Sequence, residues 1–225
     1  MANSFTLELD TTAPGSPSLK INSGATYTST QTVTLTVATT DPTTTGYTMK
    51  VWGDVDKTDN PSIQDTKEAS AWIQYNTAPQ VKLSAGDGSK SLSLIIRDDV
   101  FNEATTVTAT ISLDTKIPVI TVTGPDVAKI SKVAGKNVSS GSFIVDVPFT
   151  EYKIKVVPNG SAINTAGTQI PVTAGSTNMT GTGSFNASTP INFTINGTDL
   201  EVASAGDGNK TIKIFVKGVA GNWSV

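Results

Sequence analysis

The chain has 225 residues, of which 16% are charged, a formal net charge of −3, 19 glycines and 11 prolines, and threonine is its commonest residue. It contains 0 histidines and 0 cysteines, which excludes histidine bases, thiolate nucleophiles, Cys/His zinc sites and disulfides. A mildly acidic chain offers no clustered basic face for nucleic acid, and no apolar run approaches the roughly 20 residues of a spanning helix, so neither nucleic acid nor a membrane is expected as a partner.

Threonine and valine suit a pleated, half-buried surface. In chain order, short runs of them bounded by turn residues predict strands at 19–22, 32–38, 47–52, 80–84, 90–96 and 106–112, with an extra strand near 72–75. Val33, Leu35 and Val37 alternate with Thr32, Thr34 and Thr36, the pattern of a strand with one face on a core and the other in water. Further strands are predicted at 119–123, 142–147, 152–157, 191–195 and 211–217. No stretch has helical periodicity, so no helix is expected.

The chain repeats itself. Ser84-Ala85-Gly86-Asp87-Gly88-Ser89-Lys90 returns as Ser204-Ala205-Gly206-Asp207-Gly208-Asn209-Lys210, a spacing of 120 residues that also pairs Asn102 with Asn222. Leu9-Asp10-Thr11 and Pro14 return as Leu113-Asp114-Thr115 and Pro118, a spacing of 104. The difference predicts a longer insertion in the second copy, within 159–189. Short strands at this density in a duplicated module predict an all-β fold of two tandem immunoglobulin-like β-sandwich domains. The expected boundaries are an N-terminal arm at 1–13, a first domain at 14–115 and a second at 116–225.

The Asp-Gly turn that leads into an Ile/Val strand and closes on asparagine, together with the Leu-Asp-Thr-x-x-Pro linker, resembles the bacterial Ig-like repeats of tailed-phage virion proteins. The opening Phe5-Thr6-Leu7-Glu8-Leu9-Asp10-Thr11-Thr12-Ala13-Pro14 and the closing Ala220-Gly221-Asn222-Trp223-Ser224 are similar to small Ig-like structural proteins of phages of Gram-positive hosts. The resemblance implies a non-enzymatic structural protein that decorates the head, tail or collar of a virion, has other virion proteins as partners and uses no cofactor. Met1-Ala2-Asn3-Ser4-Phe5 lacks the charged and apolar segments of a signal peptide, so synthesis in the host cytoplasm without signal-directed export is expected. The alternative is an adhesion module that binds a host-surface glycan.

Candidate chemistry is sparse. Gly86-Asp87-Gly88-Ser89-Lys90 and its repeat superficially look like a phosphate loop, but a residue separates glycine from lysine and the context is strand-turn-strand, so a turn is expected. Asp98 and Asp99, with Asp87, Asp10 and Asp114, are oxygen donors of the kind calcium takes. Asp98 and Asp99 align with Gly218 and Val219, so solvated turn carboxylates and no metal are expected. Trp52 is expected in the first core, at the place of the central-strand tryptophan of an Ig-like fold, although strict alternation sets it opposite Tyr47, Met49 and Val51. Trp72 and Trp223 are candidate surface contacts.

Assembly follows from the register of the repeat. By the two spacings, Val225 and Met1 both align with Thr105, so the second copy lacks the strand that 106–112 supplies in the first, while 2–8 matches that strand. Phe5, Leu7 and Leu9 are therefore the expected assembly strand, either completing the second domain of another copy and giving a homo-oligomer, or docking on another virion protein while the second sandwich keeps fewer strands.

Overall fold

The computed structural model describes residues 3–158 and 163–225; Met1 and Ala2, the head of the expected arm, and 159–162, the start of the expected insertion, lie outside the described residues. The chain divides into two compact units between Thr115 and Lys116. Each is a sandwich because its strands carry alternating apolar residues that must be covered by a second sheet.

In the first unit the strands are β1 (Ser18–Ile21), β2 (Tyr27–Thr28), β3 (Thr32–Ala38), β4 (Thr48–Gly53), β5 (Ile73–Gln74), β6 (Gln80–Lys82), β7 (Gly88–Arg97) and β8 (Val107–Leu113). One sheet has the order β1-β3-β6 and the other β2-β8-β7-β4-β5. Neighbours are antiparallel except for the short β2, which runs parallel to β8 and has no signal in the sequence reading. Val33, Leu35 and Val37 of β3 meet Met49 and Val51 of β4 and Leu92, Leu94 and Ile96 of β7 in one buried core. Trp52 is not part of it. Thr48, Lys50 and Trp52 occupy the outward face of β4 while Met49 and Val51 are buried, so the period of two overrides the expected core position.

In the second unit the strands are β9 (Ile120–Thr123), β10 (Val138–Val145), β11 (Phe149–Val157), β12 (Thr168–Gln169), β13 (Thr180–Phe185) and β14 (Ile191–Asn196), followed by a helix α1 (Gly197–Ala203) and β15 (Thr211–Gly218). The sheets are β14-β10-β9 and a group centred on β11, which pairs β12 and β13 along one edge and β15 along the other. The core is more aromatic than the first. Phe143 and Phe185 both meet Tyr152 edge-on, at 5.3 and 5.5 Å between ring centroids, and Phe149 stacks on Phe185 at 4.8 Å. Gly181 makes room for this cluster, since a Cβ there would lie 2.4 Å from the Tyr152 ring.

Two expectations are corrected here. A helix is present: Asn196 caps it by accepting from the Thr198 N–H at 2.9 Å, and Asp199 occupies its first turn. At 7 residues it is too short to display a period, and its signature is the cap rather than an apolar stripe. The extra length of the second copy is also split. Residues 158–190 join β11 to β14, and 197–210 join β14 to β15 through α1, where 83–87 suffice between β6 and β7.

Candidate functional site

The two Gly-Asp-Gly segments are turns. Gly86 and Gly88 have φ of +86° and +125°, and Gly206 and Gly208 have +82° and +117°, a left-handed pair that only glycine adopts without strain. Lys90 Nζ donates to Ser84 Oγ and to the Ala85 carbonyl, both at 3.1 Å, and Lys210 Nζ donates to the Ala205 carbonyl at 3.1 Å. The lysines therefore fasten the turns instead of facing a phosphate. Asp87 accepts from both the N–H and the hydroxyl of Thr115 at 2.9 Å, which ties the end of β8 to the turn before β7.

Asp98 departs from the expected solvated carboxylate. It is buried and accepts from the N–H groups of Val100 and Asn102 at 3.0 and 2.8 Å and from Asn102 Nδ2 at 2.8 Å, closing the loop after β7. Asp99 is exposed, and Asp10 accepts from the Thr12 N–H at 2.9 Å. Among the described residues no group of three or more acidic side chains is placed to share a cation. The sequence reading missed Asp199, which is fully buried and accepts from the Thr173 hydroxyl and the N–H groups of Ala174 and Ser176, each at 2.9 Å. Burial by itself would push its carboxyl up, but the bonds from Ser176, Thr173 and Ala174 together hold it below the usual carboxylate range.

Trp72 and Trp223 are half-buried, and each lies under cations. The Arg97 guanidinium sits 4.0 Å from the Trp72 ring centroid and 4.3 Å from that of Phe101, with Lys50 Nζ at 5.3 Å from Trp72. Lys153 Nζ is 4.6 Å and Lys217 Nζ 6.0 Å from the Trp223 centroid. Register makes these the same site in both units. Thr48 pairs with Arg97 and Lys50 with Ile95 across β4 and β7, as Glu151 pairs with Lys217 and Lys153 with Phe215 across β11 and β15. The outer face of each sheet thus carries a cation pair capped by a tryptophan, supplied before β5 in one unit and after β15 in the other.

A shallow polar pocket of about 420 Å³ in the first unit is lined by Thr44, Gln74, Tyr75, Asn76 and Thr77. Beside it Tyr47 meets Tyr75 edge-on and donates to Asp41 at 3.0 Å. Burial, followed by that carboxylate, pushes the Tyr47 hydroxyl up to about 12.

The second unit has a larger, apolar groove of about 740 Å³ between β9 and β15, where Ile117, Val119 and Val122 face Phe193, Ile212 and Ile214. The arm is the other apolar feature. Phe5, Leu7 and Leu9 are 85%, 84% and 87% exposed and belong to no strand. The Asp10 carbonyl at its base accepts from Asn102 Nδ2 at 3.3 Å.

No protein-family model and no curated protein matches the chain. Among solved structures it is similar to the fibronectin(III)-like modules of Clostridium thermocellum CbhA, at a TM-score of 0.44 and 10% identity over 92% of this chain and 90% of that one. Carbohydrate-binding modules from the β-sandwich superfamily align at a TM-score of 0.32 and 12% identity over 96% and 99%. Chitinase ChiA74 from Bacillus thuringiensis aligns at 0.31 and 13% identity over 92% of this chain, which spans 30% of that enzyme. The chain is a pair of β-sandwich modules.

Proposed function

We propose that the chain is a non-catalytic structural component of a phage virion, a pair of Ig-like modules that act by assembling with other proteins of the particle. The observation that carries this reading is the arm. Three large apolar side chains at alternate positions stand in solvent, an arrangement that marks a surface meant to be covered by a partner. The non-catalytic part draws support from the fate of the polar groups: turn carboxylates and lysines bind their own loops, and the exposed tryptophan faces are stacked by cations. The phage setting rests on the resemblance of the turn and linker motifs. The test is fractionation of particles on a density gradient from the culture that expresses the gene. The chain co-purifies with particles in a fixed ratio to the major capsid protein; its confinement to the particle-free fractions would overturn the reading.

Glycan binding is a second reading, favoured by the pocket at Tyr75 and Asn76, whose amide and hydroxyl groups beside an aromatic edge suit a sugar. A glycan array probed with the full chain tests it. Binding that Tyr75→Ala and Asn76→Ala abolish would establish it over the structural reading.

A further inference from the structure

The first unit shows what the groove of the second is shaped to hold. There β8 lies on the outer edge of β7, with Leu113 opposite Gly88, Ile111 opposite Lys90 and Ala109 opposite Leu92. Ile111 and Leu113 are buried, and Leu92 and Leu94 beneath are 0% exposed. In the second unit β15 follows the same turn and pairs β11 as β7 pairs β4. Its Ile212 and Ile214, which align with Leu92 and Leu94, are only half-buried and line the groove. Across the groove Val122 is 51% exposed, although it opposes the buried Phe143 of β10. Entry to the strand position is also built. The Ser224 N–H donates to the Val216 carbonyl at 2.8 Å as the Ala104 N–H donates to that of Ile96 at 2.8 Å.

The arm has the sequence this position needs. By the 104-residue spacing Phe5, Leu7 and Leu9 fall on Ala109, Ile111 and Leu113, the inward face of β8, while Ser4, Thr6 and Glu8 fall on Thr108, Thr110 and Ser112, which are exposed or half-buried. Resting on the structural reading above, we infer that the N-terminal arm of a second copy of the chain fills the groove as an antiparallel strand on β15, with Phe5 opposite Ile212, Leu7 opposite Lys210 and Leu9 opposite Gly208. Phe5, Leu7 and Leu9 are exposed and belong to no strand, so the arm has its backbone and its apolar side chains free to donate, and linkage between copies against linkage within one copy is what the test reads. Strand addition satisfies the backbone groups of an open edge and buries every second side chain. Thr11 then reaches Asp207 as Thr115 reaches Asp87, and closes the joint.

The chain has 0 cysteines, so paired cysteines report the register directly. Phe5→Cys and Ile212→Cys are placed in separate full-length copies of different tag length and mixed under mild oxidant, because partners facing across a ladder meet the Cα spacing of a disulfide. The expected result is a mixed-tag dimer from this pair and none from Thr6→Cys with Ile212→Cys, whose side chains point to opposite faces. Sedimentation of the unmodified chain shows self-association that rises with concentration and disappears on deletion of residues 2–9. Adding a peptide of residues 2–12 to the deleted chain raises its melting temperature, whereas a scrambled peptide does not. A monomeric full chain, or a copy carrying both Phe5→Cys and Ile212→Cys that links only within itself, would overturn the inference. Neither result touches the particle fractionation, so failure of this joint and failure of the structural reading remain distinguishable.

Discussion

Asp199 ties the first turn of α1 to the loop before β13 in the second unit. Its two oxygens collect the Thr173 hydroxyl and two N–H groups of the loop before β13, and the Asn196 N–H donates to Ser176 Oγ at 2.8 Å beside them. Removing such an acceptor strands buried donors, so Asp199→Ala costs on the order of 3–5 kcal/mol. Calorimetry of the full chain checks this as a lowered transition for one unit with the other unmoved. Its carboxyl titrates below the usual value, so the folded state holds the proton less tightly than the unfolded chain. The stabilisation is therefore present above the unfolded value of about 4 and is lost as pH falls through the lower folded one. Asp199→Asn removes that acid limb, and melting curves taken down the acid range read the difference from wild type.

At the scale of elements, the cation-and-tryptophan caps show how one sheet position is conserved in geometry between the units while its parts come from different segments. Arg97 is held between Trp72 and Phe101 and donates through Nε to Thr48 Oγ1 at 2.8 Å. A planar guanidinium stacks where an ammonium cannot, so Arg97→Lys loses most of the contact. A double-mutant cycle of Arg97→Ala with Trp72→Ala gives a coupling of about 0.5–2 kcal/mol in urea unfolding, and additive effects would show that the stack contributes nothing. Such caps were illegible beforehand because Trp72 and Trp223 share no repeat position. Most of the sheet framework was legible. Alternation along Thr32–Ala38 placed β3 to the residue, and the repeated turn placed β7 and β15. Trp52 shows the limit: analogy set it in the core, while the alternation already visible from Met49 to Val51 put it outside. The two-residue β2 and β12 and the helix α1 escaped because a ladder of two pairs or two helical turns leaves no period to read, whereas the equally short β5 falls in the segment expected near 72–75.

On the scale of the whole molecule, each copy offers one arm and one groove, and these are different surfaces. A joint between them is heterologous, so copies add head to tail until the chain of copies closes into a ring or continues as a fibre. Two defective versions follow from this. A copy lacking residues 2–9 accepts an arm and donates none, whereas Val119→Asp with Val122→Asp puts carboxylates in the groove, so that copy donates and does not accept. Both valines are exposed in the single chain, so the second version keeps its fold. Each alone is monomeric in sedimentation velocity, because each lacks one half of every joint. Mixed in equal amounts they form a dimer and nothing larger, since the single joint available uses the good arm of one and the good groove of the other. Added in small amounts to the unmodified chain, either version shortens a fibre by capping one end, and a discrete closed ring would instead lose mass to fragments of fewer copies. The association rests on apolar contact and ladder hydrogen bonds, so raising salt from 0.1 to about 1 M, where the Debye length falls to about 3 Å, leaves the dimer intact. A dimer that salt dissolves, or one that forms from either version alone, would place the joint elsewhere on the molecule.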